Sequence, residues 1–243
     1  VYTAQYDTTT KEYTVTWTDE GGAVLEVDEA VAYGTIPSYD GEVPLKKGDA
    51  QYDYSFSGWT TAVVAVTGDV TYVAAYDRKL KTYVVTWQDE DGTVIEVDEA
   101  VAYGSTPSYD TTPSKTGTAE FTYRFAAWTS GGVEYAPTVT LPAVTGNVTY
   151  KAKYDEIKNT YQVTWKNWDD SVIASASVEY GKTPVAPGYG SETFSLRSAD
   201  ASGQYSFSGW RNGKVLYTAN DTLPAVTGGV TYVAEYSVTY VQY

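Results

Sequence analysis

The chain has 243 residues, a formal net charge of −15 and 25 tyrosines, and it contains no histidine, cysteine or methionine. Without His and Cys, the sequence excludes Ser-His-Asp triads, thiolate chemistry, disulfide bonds and the common zinc sites. The negative charge argues against nucleic acid and anionic lipid as partners, because both require a basic surface. No apolar run approaches the roughly 20 residues of a membrane span, and the many Tyr, Thr and Val residues favour β-strands.

The first seven residues, VYTAQYD, match the end of a strand that the chain repeats three times further on. Tyr2 and Tyr6 take the places that Tyr72 and Tyr76 hold in the first full copy. We therefore expect the chain to begin inside a preceding repeat. Val1–Tyr6 would then be an orphan closing strand, and we expect it to pair with a sheet edge of this molecule or of a neighbour.

Each repeat opens with the pattern Y-x-V-x-W, and the alternation places Tyr, Val and Trp on one face of a strand. A turn follows, with the sequences DEGG, DEDG and NWDDS in the three copies. Gly21-Gly22 and Asp91-Gly92 favour a tight hairpin with positive φ. The third copy has no Gly there and adds Trp168, so we expect its turn to differ.

After the second strand comes the motif V-x-Y-G-x-x-P, at Val31–Pro37, Val101–Pro107 and Val178–Pro184. Its Gly permits a sharp change of direction and its Pro begins an extended run. Loops of about 14 to 20 residues follow, without a good helix pattern. Because such long structureless loops are uncommon, we expect a short strand or turn in each.

The third main strand ends in Trp, and its Phe and Trp are three residues apart, as in Phe56 and Trp59. Either the strand bulges at Gly58 and Gly209, or the Trp covers the other face. Ala127 replaces this Gly in the second copy, so positive φ is not obligatory there. Copies two and three also carry an extra segment after the Trp, for which we expect a short hairpin at a sheet edge.

Each repeat closes with the pattern V-T-G-x-V-T-Y-x-A-x-Y, at Val66–Tyr76, Val144–Tyr154 and Val226–Tyr236. The alternation predicts a core face of Val, Tyr, Ala and Tyr and a wet face that accepts Lys and Glu. A constant seven-residue interval, occupied by charged hinge sequences such as DRKLKT, leads to the next opening Tyr. The interval would set the position of one domain relative to the next.

The predicted organisation is a tandem array. Residues 1–7 would be the last strand of a preceding repeat, 8–76 repeat 1, 77–154 repeat 2, 155–236 repeat 3, and 237–243 the start of a following segment. Such small domains bury only about 60% of their unfolded surface, and the recurring aromatic residues compensate for this. Units of this size measure about 30 Å, so three in line would span on the order of 100 Å.

These motifs resemble the Listeria–Bacteroides repeat family, the B-repeat type of internalin. The pattern is carried in the first copy, with counterparts in both later copies, by Tyr13, Val15, Trp17, Tyr33, Gly34, Pro37, Phe56, Gly58, Trp59 and Val66–Tyr76. The resemblance implies a mainly β chain of three small β-grasp-like domains with a reduced or missing helix, in an elongated beads-on-a-string array. It also implies tandem arrays in secreted, wall-anchored bacterial proteins that act as stalks or in adhesion.

The sequence offers little candidate chemistry. The acidic stretch that begins at Asp89 does not match an EF-hand, because Val94 and Ala100 stand where that loop needs Gly and Glu. Lys11 and Lys81 correspond between copies, but Asn159 takes the third place, which disfavours a shared Lys–Asn isopeptide bond. Trp168 is the one candidate ligand contact, and partial burial on its own sheet is the alternative. We predict no catalytic residue, cofactor or metal site.

The favoured function is a non-enzymatic stalk or spacer in a secreted, cell-wall-attached bacterial protein of the adhesin type. The alternative is that the repeats themselves bind a host glycan, mucin or matrix protein weakly and multivalently. An enzyme is a distant third. The predicted partners are therefore host glycans or extracellular proteins, with no nucleic acid and no membrane insertion, and the predicted state is a monomer at the bacterial cell surface.

Overall fold

The computed structural model describes residues 1–188 and 197–240, and within them the chain is mainly β, with no helix. It therefore contains no helix in this part that could cross a membrane. The first sheet comprises β1 (Glu12–Thr18), β2 (Val24–Ala32), β3 (Tyr52–Trp59) and β4 (Val70–Leu80).

The second and third sheets repeat this plan with one extra short strand each. The second comprises β5 (Thr82–Gln88), β6 (Val94–Ala102), β7 (Phe121–Ser130), β8 (Val133–Tyr135) and β9 (Val148–Lys158). The third comprises β10 (Thr160–Lys166), β11 (Val172–Glu179), β12 (Gln204–Asn212), β13 (Val215–Tyr217) and β14 (Val230–Thr239). The short strands β8 and β13 pair with β7 and β12 at the sheet edge, as predicted for the extra segment.

The strand order is β2-β1-β4-β3 in the first sheet, β6-β5-β9-β7-β8 in the second and β11-β10-β14-β12-β13 in the third. In the first and third sheets, the opening strand runs parallel to the closing strand beside it, and the other neighbours are antiparallel. The three sheets are consistent with three tandem domains, whereas the β-grasp-like assignment and the exact domain boundaries stay predictions.

By its internal contacts the chain divides into two compact units. One comprises Val1–Gln88, Gly92–Tyr109 and Thr138–Tyr150, and the other comprises Asp89–Asp91, Asp110–Pro137 and Lys151–Tyr243. The first sheet lies wholly in one unit and the third sheet wholly in the other. The strands β5 and β6 belong to the first unit, and β7 and β8 to the second.

The core of each repeat follows the predicted alternation. In β1, Val15 and Trp17 are buried while Thr14 is exposed, and in β4 the buried residues are Tyr72 and Ala74. Trp17 stacks on Tyr72 with ring centroids 4.7 Å apart. Equivalent stacks join the opening and closing strands of the other repeats, at 4.9 Å for Trp87 with Tyr150 and 6.4 Å for Trp165 with Tyr232.

A β-bulge brings the Phe and Trp of the third main strand to the same face. The register shifts between Phe56 and Gly58 against β4, and the two rings meet edge to face at 5.3 Å. The same shift occurs in the other repeats. This confirms the bulge among the two predicted alternatives, because one extra residue restores the parity of the side chains.

Two sequence motifs of each repeat are hydrogen-bonded to one another. Gly34 has a φ of 85° and its N–H donates to the carbonyl of buried Val66, whose own N–H donates to Thr35. Gly104 with Val144 and Gly181 with Val226 make the same contact, each at 2.8 Å. The positive φ turns the chain so that the Y-G-x-x-P motif lies against the segment that leads into the closing strand.

The prediction that the first turn of repeat 3 differs is wrong. Asp170 adopts a φ of 67°, where Gly22 and Gly92 have φ values of 86° and 91°. Its N–H donates to Asn167 at 3.1 Å, as that of Gly22 donates to Asp19. The turn keeps its backbone because Asp, with a short polar side chain, tolerates the left-handed region better than most residues.

Two further expectations are met only in part. The described parts of the long loops contain turns but no strand, side-chain contacts also hold them, and residues 189–196 of the third loop lie outside the described residues. Val1–Tyr6 forms no strand, and its Tyr2 and Tyr6 side chains are exposed. It does not pair with a sheet edge within the described part of this chain, whereas its pairing with a neighbouring molecule stays a prediction. A closing strand lies between the opening and third strands of its own sheet, and β4 already holds that place in the first sheet.

Candidate functional site at the junctions between repeats

The intervals between repeats are strands rather than the predicted charged hinges. The strand β4 continues past Tyr76 to Leu80, where it still pairs with β3, and β5 begins at Thr82. Lys81 is therefore the one residue between the two strands. The same holds for Asn159, which lies between β9 and β10. The charged sequence suggested a hinge, but residues 77–80 form the exposed end of β4, which pairs only with β3. An exposed strand can be as rich in charged residues as a loop.

Lys81 is fixed by both of its neighbouring repeats. Its N–H donates to the carbonyl of Gln51 in repeat 1, at 2.9 Å. Its carbonyl accepts the N–H of Tyr103 in repeat 2, also at 2.9 Å. Both backbone groups of this residue are thereby satisfied within the protein, and each of them extends the ladder of one adjoining sheet up to the junction.

Side chains add two more contacts at this first junction. The Tyr83 hydroxyl donates to the carbonyl of Ala50 at 2.5 Å, and the Lys81 ammonium lies 3.3 Å from the Asp53 carboxylate. An exposed ion pair of this kind contributes little by itself. The tyrosine is more informative, since it is the opening Tyr of repeat 2 and explains why the seven-residue interval ends on that residue.

The second junction repeats the first with different side-chain chemistry. The Asn159 N–H donates to Glu120 at 2.8 Å, its carbonyl accepts from Tyr180 at 2.9 Å, and the Tyr161 hydroxyl donates to Ala119 at 2.7 Å. In place of an ion pair, the Asn159 amide donates to the carbonyl of Thr118 at 2.9 Å and also to Ala119. The correspondence of Lys81 and Asn159 was visible in the sequence, but its role was not.

The start of repeat 1 contains one of the two backbone hydrogen bonds seen at the junctions, the bond on the side of the following repeat. The Tyr33 N–H donates to the carbonyl of Lys11 at 2.8 Å, as Tyr103 does to Lys81. Lys11, Lys81 and Asn159 are thus equivalent positions in structure as well as in sequence. The Lys81 ammonium faces the Asp53 carboxylate, so its observed role is an ion pair.

A second recurring device, the loop clamp, holds each long loop against the sheet. It consists of Lys46, Lys115 or Arg197, each lying over the ring of the Tyr eight residues further along. The cation is 4.0 Å from the Tyr54 centroid, 3.9 Å from that of Tyr123 and 3.5 Å from that of Tyr205. Such cation–π contacts anchor a loop without any strand.

The acidic first turn is the second partner of the clamp. Glu20 and Glu90 form ion pairs of 2.5 Å with Lys46 and Lys115. The hydrogen bond to the glutamate raises the pKa of each lysine above its ordinary value.

Within the described residues, no group of three or more His, Cys, Asp or Glu side chains could hold a metal ion.

Trp168 stands at the position of Glu20 and Glu90 in the turn of repeat 3. Its side chain is 51% exposed, and the Arg197 guanidinium lies 4.2 Å from its ring centroid. Repeat 3 therefore replaces the ion pair of the clamp by a second cation–π contact. The role of Trp168 as a ligand contact stays a prediction, and one contact of its ring is already made within the chain.

Asp side chains fix the end of the long loop in repeats 1 and 3. Asp49 accepts the N–H groups of Tyr52 and Gln51, and these backbone bonds hold its pKa below the ordinary value. The N–H of Ser202 has the same effect on the pKa of Asp200. Thr118 accepts the N–H of Phe121 at this position in repeat 2. The turn expected in the loop is thus a side-chain-stabilised turn immediately before the third strand.

Comparisons with known proteins give little further support. No family model and no curated protein matches the chain. Among solved structures, the chain is similar to domains 3–4 of the streptococcal high identity repeats in tandem (SHIRT) of a cell surface protein. The identity is 15%, the match covers 66% of this chain and 100% of that one, and the TM-score is 0.31. Likeness at this level carries no argument, so the resemblance to the Listeria–Bacteroides repeat family stays a prediction.

Proposed function

We propose that this chain is a spacer: a non-enzymatic set of tandem repeats in a secreted, cell-wall-attached bacterial surface protein of the adhesin type. The observation that carries the proposal is the junction, which the chain builds twice. A single residue, Lys81 or Asn159, separates consecutive sheets, and the opening Tyr of the following repeat donates its hydroxyl to a carbonyl of the preceding repeat. Catalysis does not require such a connection, whereas a spacer needs it to keep successive domains from folding back on one another.

The acidic surface fits the same role. A net charge of −15 keeps a repeated chain soluble and resists self-association. The loop clamps and the core contacts, which also recur, stabilise each repeat by itself. The hydrogen bonds that cross each junction concern the direction of the next repeat, and they are made by the hydroxyls of Tyr83 and Tyr161.

Solution X-ray scattering of the full chain tests the proposal. We expect an extended particle with a maximum dimension on the order of 100 Å, from three domains of about 30 Å each. A Gly-Ser-Gly-Ser insertion between Leu80 and Lys81 should broaden the distance distribution, because it separates the two halves of the junction. The same insertion after Gly41, inside a loop of repeat 1, is the matched control and should leave it unchanged. A compact globule would overturn the proposal.

The alternative function, weak binding of a host glycan, mucin or matrix protein, has a separate test. The parent chain and a Trp168→Ala variant are passed over immobilised mucin. Retention of the parent that is lost in Trp168→Ala would overturn a purely spacing role. No retention of either protein is the outcome that the spacer proposal expects.

A further inference from the structure

The first and third repeats place their opening and closing strands side by side and parallel. In repeat 1, Val15–Thr18 of β1 pair with Val70–Val73 of β4. In repeat 3, Val163–Lys166 of β10 pair with Val230–Val233 of β14. These are the strands through which the chain enters and leaves each repeat, and β4 passes into the next repeat through a single residue.

Parallel entry and exit strands determine how tension would act on a repeat. A pull on the start of β1 and the end of β4 draws the two strands in opposite directions along their own axes. Because the force then acts along the strands, all hydrogen bonds of the ladder are strained together. An antiparallel pair pulled apart from opposite residues would instead open one bond after another.

The aromatic stack reinforces the same ladder. Trp17 and Tyr72 are directly paired in the register of β1 and β4, their rings are stacked, and both side chains are almost fully buried. Sliding β1 along β4 would therefore separate the rings and expose them to water while it breaks the backbone bonds. Trp165 and Tyr232 hold the same paired position in repeat 3.

We propose that each of these repeats is a shear clamp, a unit in which the β1–β4 or β10–β14 ladder resists tension applied through the chain ends. The inference deepens the spacer proposal and depends on it only for the direction in which force would act. It assigns a mechanical role to the parallel ladder, whereas the spacer proposal depends on the junctions.

Single-molecule force spectroscopy of the full chain tests the shear clamp in repeat 1. The chain has no cysteine, so pairs of introduced cysteines serve as unique attachment points. A Glu12→Cys, Asp77→Cys variant pulls the β1–β4 ladder in shear. A Ser55→Cys, Asp77→Cys variant, kept reduced until attachment because its two thiols could form a disulfide, pulls apart two residues that face each other across β3 and β4. The variants share one attachment point, and all three residues are exposed.

The shear variant should unfold at a force at least about twice that of the opening variant, because forced unfolding reports the barrier along the pulled direction. The stretched lengths between the attachment points identify the events, at up to about 23 nm for the shear variant and about 8 nm for the opening variant, each reduced by the folded separation of the two points. Thermal melting of both proteins, unattached, must match the parent. If it does not, Arg78→Cys replaces Asp77→Cys in both pairs. Equal unfolding forces for the two variants, or a lower force for the shear variant, would overturn the shear-clamp proposal.

The two proposals can fail separately. An extended particle in scattering together with equal rupture forces would support the spacer proposal and contradict the shear-clamp proposal. A compact particle together with a strong shear variant would do the reverse.

Discussion

At the scale of single residues, the three repeats differ in how they satisfy the buried Trp of the opening strand. The indole N–H of Trp17 donates to Asp28 at 2.9 Å, and that of Trp87 donates to Asp98 at the same distance. The indole N–H of Trp165 has no hydrogen-bond partner among the described residues, although its side chain is 2% exposed. Ala176 pairs with Val163 where Asp28 pairs with Val15, so the acceptor is missing.

We expect Asp28→Ala to lower the free energy of unfolding of repeat 1 by about 1–3 kcal/mol, the cost of an unsatisfied buried donor. Urea unfolding monitored by tryptophan fluorescence measures the change. Asp28→Asn is the matched control, because its side-chain carbonyl can still accept the indole N–H, and it should cost clearly less. Equal losses for the two variants would mean that the hydrogen bond contributes little and that the carboxylate acts through its charge.

At the scale of elements, the junctions depend on the opening tyrosine of the following repeat. We expect Tyr83→Phe to loosen the first junction, since it removes the hydrogen bond to Ala50 while the ring remains. Amide hydrogen exchange should then accelerate at Lys81, whose N–H donates to Gln51.

The second junction supplies the control for this measurement. Exchange at Asn159 should stay unchanged in Tyr83→Phe and should accelerate in Tyr161→Phe, which removes the bond to Ala119. If Lys81 exchanges at the parental rate in Tyr83→Phe, the hydroxyl is not part of what holds the junction.

The turn before the closing strand shows a second difference between elements. Asp69 accepts the N–H of Thr14 at 2.8 Å, and Asn147 accepts that of Val84 at 2.9 Å. Repeat 3 has Gly229 at this position. A Cβ added there would meet only the carbonyl oxygen of Gln162, at an ordinary contact distance of 3.8 Å.

We therefore expect Gly229→Asn to stabilise repeat 3 by about 0.5–1.5 kcal/mol, because it supplies an acceptor for the N–H of Gln162. Chemical unfolding followed by hydrogen exchange in β10 gives the value. Gly228→Asn adds the same side chain one residue earlier, where no partner is near, and serves as the control. A stabilisation shared by both variants would point to reduced freedom of the unfolded chain instead.

At the scale of the whole molecule, these differences accumulate in repeat 3. It lacks the acceptor for its Trp indole and the Asp or Asn before its closing strand, and its Trp–Tyr stack is wider, at 6.4 Å. We expect repeat 3 to open first on heating or in denaturant. Native-state hydrogen exchange should show lower protection in β14 than in β4. Equal protection in the two strands, or lower protection in β4, would contradict this order.

The local pattern determined a large part of this protein. The alternation in Val66–Tyr76 and its copies fixed the strands and their buried faces, because side chains of a strand point alternately to opposite sides. The three-residue spacing of Phe56 and Trp59 limited the third strand to two arrangements. The position shared by Lys11, Lys81 and Asn159 was visible as a correspondence between copies.

Only the tertiary structure decided which groups meet across the chain. The bulge at Gly58 depends on the register of β3 against β4. The turn at Asp170 depends on a positive φ that a non-glycine residue does not predict. The junctions and the loop clamps join residues that are far apart in sequence, such as Tyr83 with Ala50 and Lys46 with Glu20. Pattern and propensity describe neighbours along the chain, whereas these contacts follow from how the strands are ordered in the sheet.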